Sequence, residues 1–471
     1  MTNGNISVAN IALFLIPVLA VAIFIGAGGW GFQYGDWPKH NSILRDLVTE
    51  SWPVIYKVGG EQIMLTYYTA YQLPAALAGK LFGWDVANHV LFLYTVFGLA
   101  LCALWIRLFT EVQWWWLFLV FVGFSGMDVL GQVISALHQQ PTLTEAAAVL
   151  GDNARSFRHL EWWAGWGFAQ YSSMAALLVL VPNQAIAGWL LTALILSDTR
   201  AGHLKLTALL YLGLCSLWTP FVGLGLIPLV LFMLVYEWRK NGHDMQLPGI
   251  LASLPNIAGI ATGLVIAVYL LGRFQEFVLP IDLGSIVYEE KVTLTFLRLP
   301  NQFFLRYLLF VLLEFALLHA LLYWYLYRQK EPLFRPMLGL LIFSSVFLLL
   351  LPLLNWGWNN EPSMRSSIPA LFITALITIR VLADPARSST AIRVKRAILG
   401  ILVIGGLNAA FEISREIVGV YERGELVSIP DRNEIDTIFE IQEERYRNYH
   451  NFAGQYVGSA NSYFSRYLAR H

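Results

Sequence analysis

The sequence predicts an all-α polytopic membrane protein of about eleven transmembrane helices, N-terminus inside and C-terminus outside. Three observations predict it. Of 471 residues, 57% are hydrophobic and only 13% charged, where soluble domains carry roughly 25% charged residues. Apolar runs near span length recur along the chain, and mean hydropathy is +0.57. Lys and Arg gather in alternate connecting loops, as the positive-inside rule requires. The net charge is zero, so no global field points to nucleic acid. Cys102 and Cys215 fall inside apolar runs, which argues against a disulfide framework.

The first apolar run covers about 8–30. The residues before it carry no positive side chain, it exceeds a signal-peptide core, and no A-x-A site follows, so a retained span is expected. A loop of about 31–86 then lies outside. Its apolar piece, 64–84, contains Tyr67, Tyr68 and Tyr71 and is interrupted by Pro74. It reads as a helix lying in the interface, not as a span; counting it as a span would invert every later loop.

Further spans are expected at about 87–108, 114–133, 171–196, 204–218, 220–236, 250–272, 303–327, 336–354, 365–382 and 396–412. The short pair meets at Trp218-Thr219-Pro220, a tight hairpin with its tip outside. The inner loops then collect Arg107, Arg200, Lys205, Arg239, Lys240, Arg328, Lys330, Arg335 and the bases between 387 and 396. The long loops, including 134–170, all fall outside. Residues 1–412 form the transmembrane domain and 413–471 an extracytoplasmic helical tail. Long ordered loops usually carry function, so chemistry is expected on the outer side.

Five stretches carry candidate chemistry. Gly35-Asp36-Trp37-Pro38-Lys39-His40-Asn41 puts an acid, a base and an imidazole at the outer end of the first span. Asp36 could act as a general base or position a charge, tuned by Lys39 or His40; an ordinary interfacial acid is the alternative. Asp128 lies about 21 Å along a helix from Trp114, in the outer third of the bilayer. An ionisable group at that depth is a functional hypothesis by default. Arg158-His159-Leu160-Glu161-Trp162-Trp163 offers a weak His-x-Glu metal pattern. The preferred reading is an interfacial segment with His159 and Glu161 at its polar edge.

Arg365, in Asn360-Glu361-Pro362-Ser363-Met364-Arg365, opens a span among small polar residues. It could clamp a phosphate or snorkel to headgroups. The tail interleaves aromatics with bases, including Tyr446, Arg447, Tyr449 and Gln455-Tyr456-Val457-Gly458, which suits sugar stacking or a headgroup surface. Nucleotide-binding glycine loops, HExxH and GxSxG are absent.

On these residues the chain resembles the GT-C membrane glycosyltransferases. The matching features are Asp36 after an N-in first span, Tyr67-Tyr68 and Leu73-Pro74 in a large outer loop, and Gly79 to Gly83 before the second span. Asp128 occupies the place of the family's second acidic site, and Arg365 that of a basic residue holding the phosphate of a polyprenyl-phosphate donor. The likeness covers mainly the first 170 residues. Asp36 stands alone, without the DxD or ExD pair of many members, so no metal ligands are assigned. A divalent cation, if one is used, would sit at Asp128. Gln170-Tyr171-Ser172-Ser173, the stretch Met364 to Leu371 and Gln455 to Gly458 also resemble a group of uncharacterised bacterial multispanning proteins.

The resemblance implies an enzyme that moves a sugar from a polyprenyl-phosphate donor to an extracytoplasmic acceptor. Asp36 and Asp128 would be catalytic, and Lys39, His40, Tyr67, His159, Glu161, Glu361 and Arg365 would bind substrate. A transporter, flippase or polymerase for lipid-linked saccharides is the alternative. Polar groups concentrated on one side, and no internal repeat, favour the enzyme. Compact loops without retention signals point to a bacterial inner membrane.

Overall fold

The computed structural model describes residues 8–58, 60–112, 116–155, 160–161, 169–240, 251–274, 293–295, 303–329, 334–356, 360–385, 388–445 and 453–469. Helix dominates, and among the described residues seven helices are long and apolar enough to cross a membrane. They are Trp84–Thr110 (α4), Pro220–Lys240, Leu254–Leu271, Phe303–Arg328, Arg335–Leu353, Glu361–Ala383 and Ser389–Arg423. Their outward faces carry exposed leucine, phenylalanine and valine, such as Leu93, Phe97, Leu264 and Val403. Those are the side chains a lipid solvent requires.

Helix α1, Val8–Phe24, stops short of residue 30. A glycine-rich turn follows. Gly28 and Gly31 have positive φ, and a Cβ there would lie 2.0 Å from the Asn88 carbonyl oxygen and 1.8 Å from that of Ile23. Only glycine permits this packing. Helix α2, Trp37–Thr49, starts beside the turn. The fully buried Trp37 ring pins it there, its Nε1 donating to the Ile25 carbonyl at 2.7 Å.

The first loop holds a hairpin, β1 Ile55–Val58 and β2 Glu61–Leu65, and helix α3, Leu73–Phe82. The interfacial helix expected over 64–84 is thus shorter, and Pro74 lies in its first turn instead of breaking it. A missing N–H costs nothing there. At ten residues α3 is too short to span. It turns Leu77, Leu81 and Phe82 outward.

Ile63, Met64 and Leu65 form a strand because the tail supplies a partner. Val457–Ser459 pairs antiparallel with β2, Leu65 opposite Val457 and Met64 opposite Gly458. A purely helical reading missed this sheet, whose pairing spans nearly the whole chain. Other bonds tie the tail down. Gly31 N donates to the Leu426 carbonyl at 2.8 Å, Trp84 Nε1 to that of Pro430 at 2.9 Å, and Arg45 to that of Ile435. The first loop and the tail therefore share one end of the bundle, called here the loop end.

Two expected spans are broken. In place of one helix over 114–133 there are α5, Leu117–Val122, and α6, Asp128–Gln139. Asp128 opens α6, so its depth cannot be reckoned as a rise along one helix. Tertiary partners satisfy the backbone freed at the break: Phe124 O accepts from Met174 N at 3.0 Å, and Met127 N donates to Leu313 O at 3.1 Å. Leu313 lies in a π-helical turn, Leu312–Ala316, within the span from Phe303. The second break separates Met174–Leu180 from Pro182–Ala201. Ser389–Arg423 is one continuous helix, so residue 412 lies within it.

Candidate functional site

Two polar clusters occupy the bundle near its loop end. The first is built on α2. Asp36 stands at the N-cap position, its carboxylate making no capping hydrogen bond, and Lys39 and His40 follow at i+3 and i+4, on one face. Lys39 Nζ meets Asp36 Oδ2 at 2.7 Å; the lysine side chain is 6% exposed and the carboxylate 29%, so Asp36 is the more open of the two charges. His40 Nε2 lies 3.2 Å from the Leu180 carbonyl and Nδ1 3.4 Å from Gln72 Nε2. Nε2 therefore carries the hydrogen.

From across the bundle comes Arg365. Its Nε pairs with Glu361 Oε2 at 2.6 Å and its Nη1 donates to the Tyr68 hydroxyl at 2.8 Å. Gln184 donates to the same hydroxyl at 3.1 Å and accepts from Thr219 Oγ1 at 3.2 Å. The Tyr67 ring packs against Tyr68 at 3.8 Å and Tyr456 at 4.8 Å between centroids, and Lys39 Nζ lies 5.8 Å from the centroid of Tyr456. Asp36, Lys39, His40, Tyr67, Glu361 and Arg365, all singled out in the sequence, thus form one site. Burial raises the Asp36 pKa, but the Lys39 ammonium and its hydrogen bond, with the Arg365 guanidinium, outweigh it and hold the carboxyl below its usual range. Burial, then Lys39, lowers His40 to about 3, so its imidazole is neutral.

The second cluster contains Asp128. Its Oδ2 accepts from Ser125 Oγ at 3.0 Å and Asn408 Nδ2 at 3.2 Å. Asn408 also donates to Glu161 Oε1 at 3.1 Å, which accepts from Ser173 N at 2.7 Å, while Gln170 Nε2 donates to Oε2 at 2.7 Å. Burial raises Glu161, and the nearby Asp128 and Glu412 carboxyls raise it further. Glu314 adjoins Asp128 from the π-helical turn. Further along, Arg415 pairs with both Glu412 and Glu416.

Asp36 interacts electrostatically with Lys39, His40 and Arg365, whereas Glu314 interacts with Asp128 and Glu161. Asp36 and Asp128 thus head different clusters, joined through Gln170, whose N donates to Ser363 Oγ at 3.1 Å on the turn bearing Arg365. His159, Trp162 and Trp163 lie outside the described residues. Among the described residues no three His, Cys, Asp or Glu converge as a metal site.

Comparison with protein-family models, with curated proteins and with solved structures returns no match for this chain.

Sequence reasoning missed Gln184, Glu314, Asn408 and Glu412. Each is a polar residue at 6% exposure or less inside an apolar helix. Their signal was polarity at membrane depth, the same signal that marked Asp128.

Proposed function

We propose that the chain is a GT-C-like membrane glycosyltransferase that takes its sugar from a polyprenyl-phosphate donor at the loop end. The observation that carries this reading is the meeting of Asp36 with Arg365 beside Tyr67, Tyr68 and Tyr456. A carboxylate, a guanidinium and stacked aromatic faces are what a sugar phosphate needs. Arg365 would hold the phosphate and stabilise its charge as the anomeric C–O bond breaks. Asp36, kept ionised, would accept a hydrogen bond from the acceptor hydroxyl and aim its oxygen at the anomeric carbon. The hydroxyl proton passes through Asp36 to the phosphate product. Tyrosine faces would stack on the sugar and exclude water. Asp128 sits in the other cluster and takes no direct part.

The proposed topology has eleven spans, including the broken ones and α1, with the loop end extracytoplasmic. The end contacts support it. Tyr269 and Arg365 reach Tyr67 and Tyr68 from the loop ends of their helices, whereas Tyr325, Asp384 and Lys395 cluster at the far end. Arg107, Arg200, Arg239 and Lys240 close helices at that far end, in keeping with a cytoplasmic face in a bacterial inner membrane.

The test uses purified full-length protein in lipid nanodiscs with a panel of polyprenyl-phosphate hexoses and pentoses. Wild type should release polyprenyl phosphate. Asp36→Asn should lose about 10²-fold or more of that rate while still binding polyprenyl phosphate. No binding of polyprenyl phosphate by wild type, or equal turnover by the variant, would sink the reading.

A further inference from the structure

The second cluster supports an inference independent of the transfer reaction. Glu314 is buried, 6% exposed, in the π-helical turn Leu312–Ala316. Among the described residues, neither of its carboxyl oxygens meets a hydrogen-bond donor. The Asp128 carboxyl, itself 1% exposed, lies beside it. Gly126, in the break between α5 and α6, makes room for this contact; a Cβ there would lie 2.2 Å from Glu314 Oε2. A narrow cleft runs beside the pair, lined by Ser125, Gly126, Ser172, Glu314 and Thr374 among others.

Two facing buried carboxylates repel each other strongly, and each carries a large desolvation cost. One added positive charge removes both penalties. The geometry says where it goes. Ser125 Oγ and Asn408 Nδ2 already donate to Asp128, which favours its ionised form, while Glu314 receives no donor. Three donors likewise fix Glu161 as an acceptor. The neighbouring charges from the other elements are Glu412, Arg415 and Glu416 on Ser389–Arg423, with Arg415 engaged by both glutamates. His319, one turn along from Glu314, bonds Ser345 and Thr374 at 2.7 and 3.1 Å. Both donors to Asp128, Ser125 Oγ and Asn408 Nδ2, reach its Oδ2.

We propose that Asp128 and Glu314 form a buried proton-binding site, with Glu314 carrying the proton and donating it to Asp128 across the junction of the broken helix and the π-helical turn. Its ligand is a proton, not a sugar or a metal ion. The bond pins two weak points of the membrane helices together. The proton's removal places two negative charges at the Met127–Leu313 contact and loosens the cleft.

The test is infrared difference spectroscopy on the full chain in nanodiscs, which sees the C=O stretch of a protonated carboxylic acid. At neutral pH wild type should show such a band, shifted in D2O. Glu314→Gln, which keeps the shape and supplies a permanent N–H donor, should lose that band and keep its thermal midpoint. The midpoint of wild type should fall as pH rises above neutral, and that of Glu314→Gln should fall less. The proposal is overturned if wild type shows no protonated-acid band. It is equally overturned if Na+, Mg2+ or Ca2+ raises the wild-type midpoint and not that of Glu314→Gln, since the occupant would then be a metal ion. Should Glu314→Gln fail to fold, Glu314→Asp takes its place: its protonated-acid band should shift in frequency from that of wild type, and an unshifted band overturns the proposal.

Discussion

Arg365 donates to the Tyr68 hydroxyl at 2.8 Å across 297 positions of sequence. The same guanidinium holds Glu361 at 2.6 Å, so two rigid contacts aim its plane at the site. Arg365→Lys keeps the charge and loses the fork. Release of polyprenyl phosphate should fall about a hundredfold, the cost of one misplaced charged donor. The thermal midpoint should move by only a few degrees. Unchanged turnover in Arg365→Lys would remove the phosphate role.

His40 gives a pH prediction. Its imidazole titrates near 3 when folded against 6.5 when free. Between those values the unfolded chain binds the extra proton, so stability rises with pH through that window and levels off above it. The slope from this one group is at most about 1.4 kcal/mol per pH unit. Denaturation of His40→Asn at several pH values should show a shallower rise. An unaltered slope would mean that the ring is not held neutral.

Asp36 acts in the same sense, over a lower pH window. Its folded pKa is depressed below the ordinary 3.8, so the Lys39 pair stabilises the protein above that value and is lost as pH falls through the lower folded value. Activity that depends on the carboxylate should therefore show no acid limb between pH 5 and 8. A limb in that range that vanishes in Asp36→Asn would contradict this placement.

Two glycines on the same long helix make a paired test of packing. A Cβ at Gly405 would lie 2.5 Å from the Ser125 carbonyl oxygen, whereas at Gly400 nothing lies within 4 Å. Gly405→Ala should cost about 1–3 kcal/mol. Gly400→Ala should be neutral or stabilise by about 0.4–1 kcal/mol. Thermal midpoints in detergent compare them, and equal effects would reject the close approach of this helix to the broken one.

The strand from the tail can be trapped covalently. Ile63 lies opposite Ser459, and the native thiols Cys102 and Cys215 are buried. Mild oxidation of Ile63→Cys/Ser459→Cys should give a fast-migrating crosslinked monomer on non-reducing gels, and Ile63→Cys with Tyr467→Cys should not. Crosslinking of neither pair would mean that the tail does not fold back.

The sequence by itself determined the apolar helices, the hairpin at Thr219 and the loop residues Asp36, Lys39 and His40. Those features depend on hydrophobic runs and on neighbours three or four positions apart, which one stretch of chain contains. It also marked Arg365 and Asp128, because a charge at membrane depth is conspicuous wherever it lies. Only the tertiary structure decided that Arg365 joins Asp36 while Asp128 joins Glu314 instead. It alone turned Met64 into a strand, since Gly458 is nearly four hundred residues away. It alone broke the span at Gly123 to Met127, where the backbone groups a continuous helix would satisfy are taken up by Met174 and Leu313. Such pairings depend on which helices lie side by side, and a burial pattern read along one strand of sequence carries no record of its neighbours.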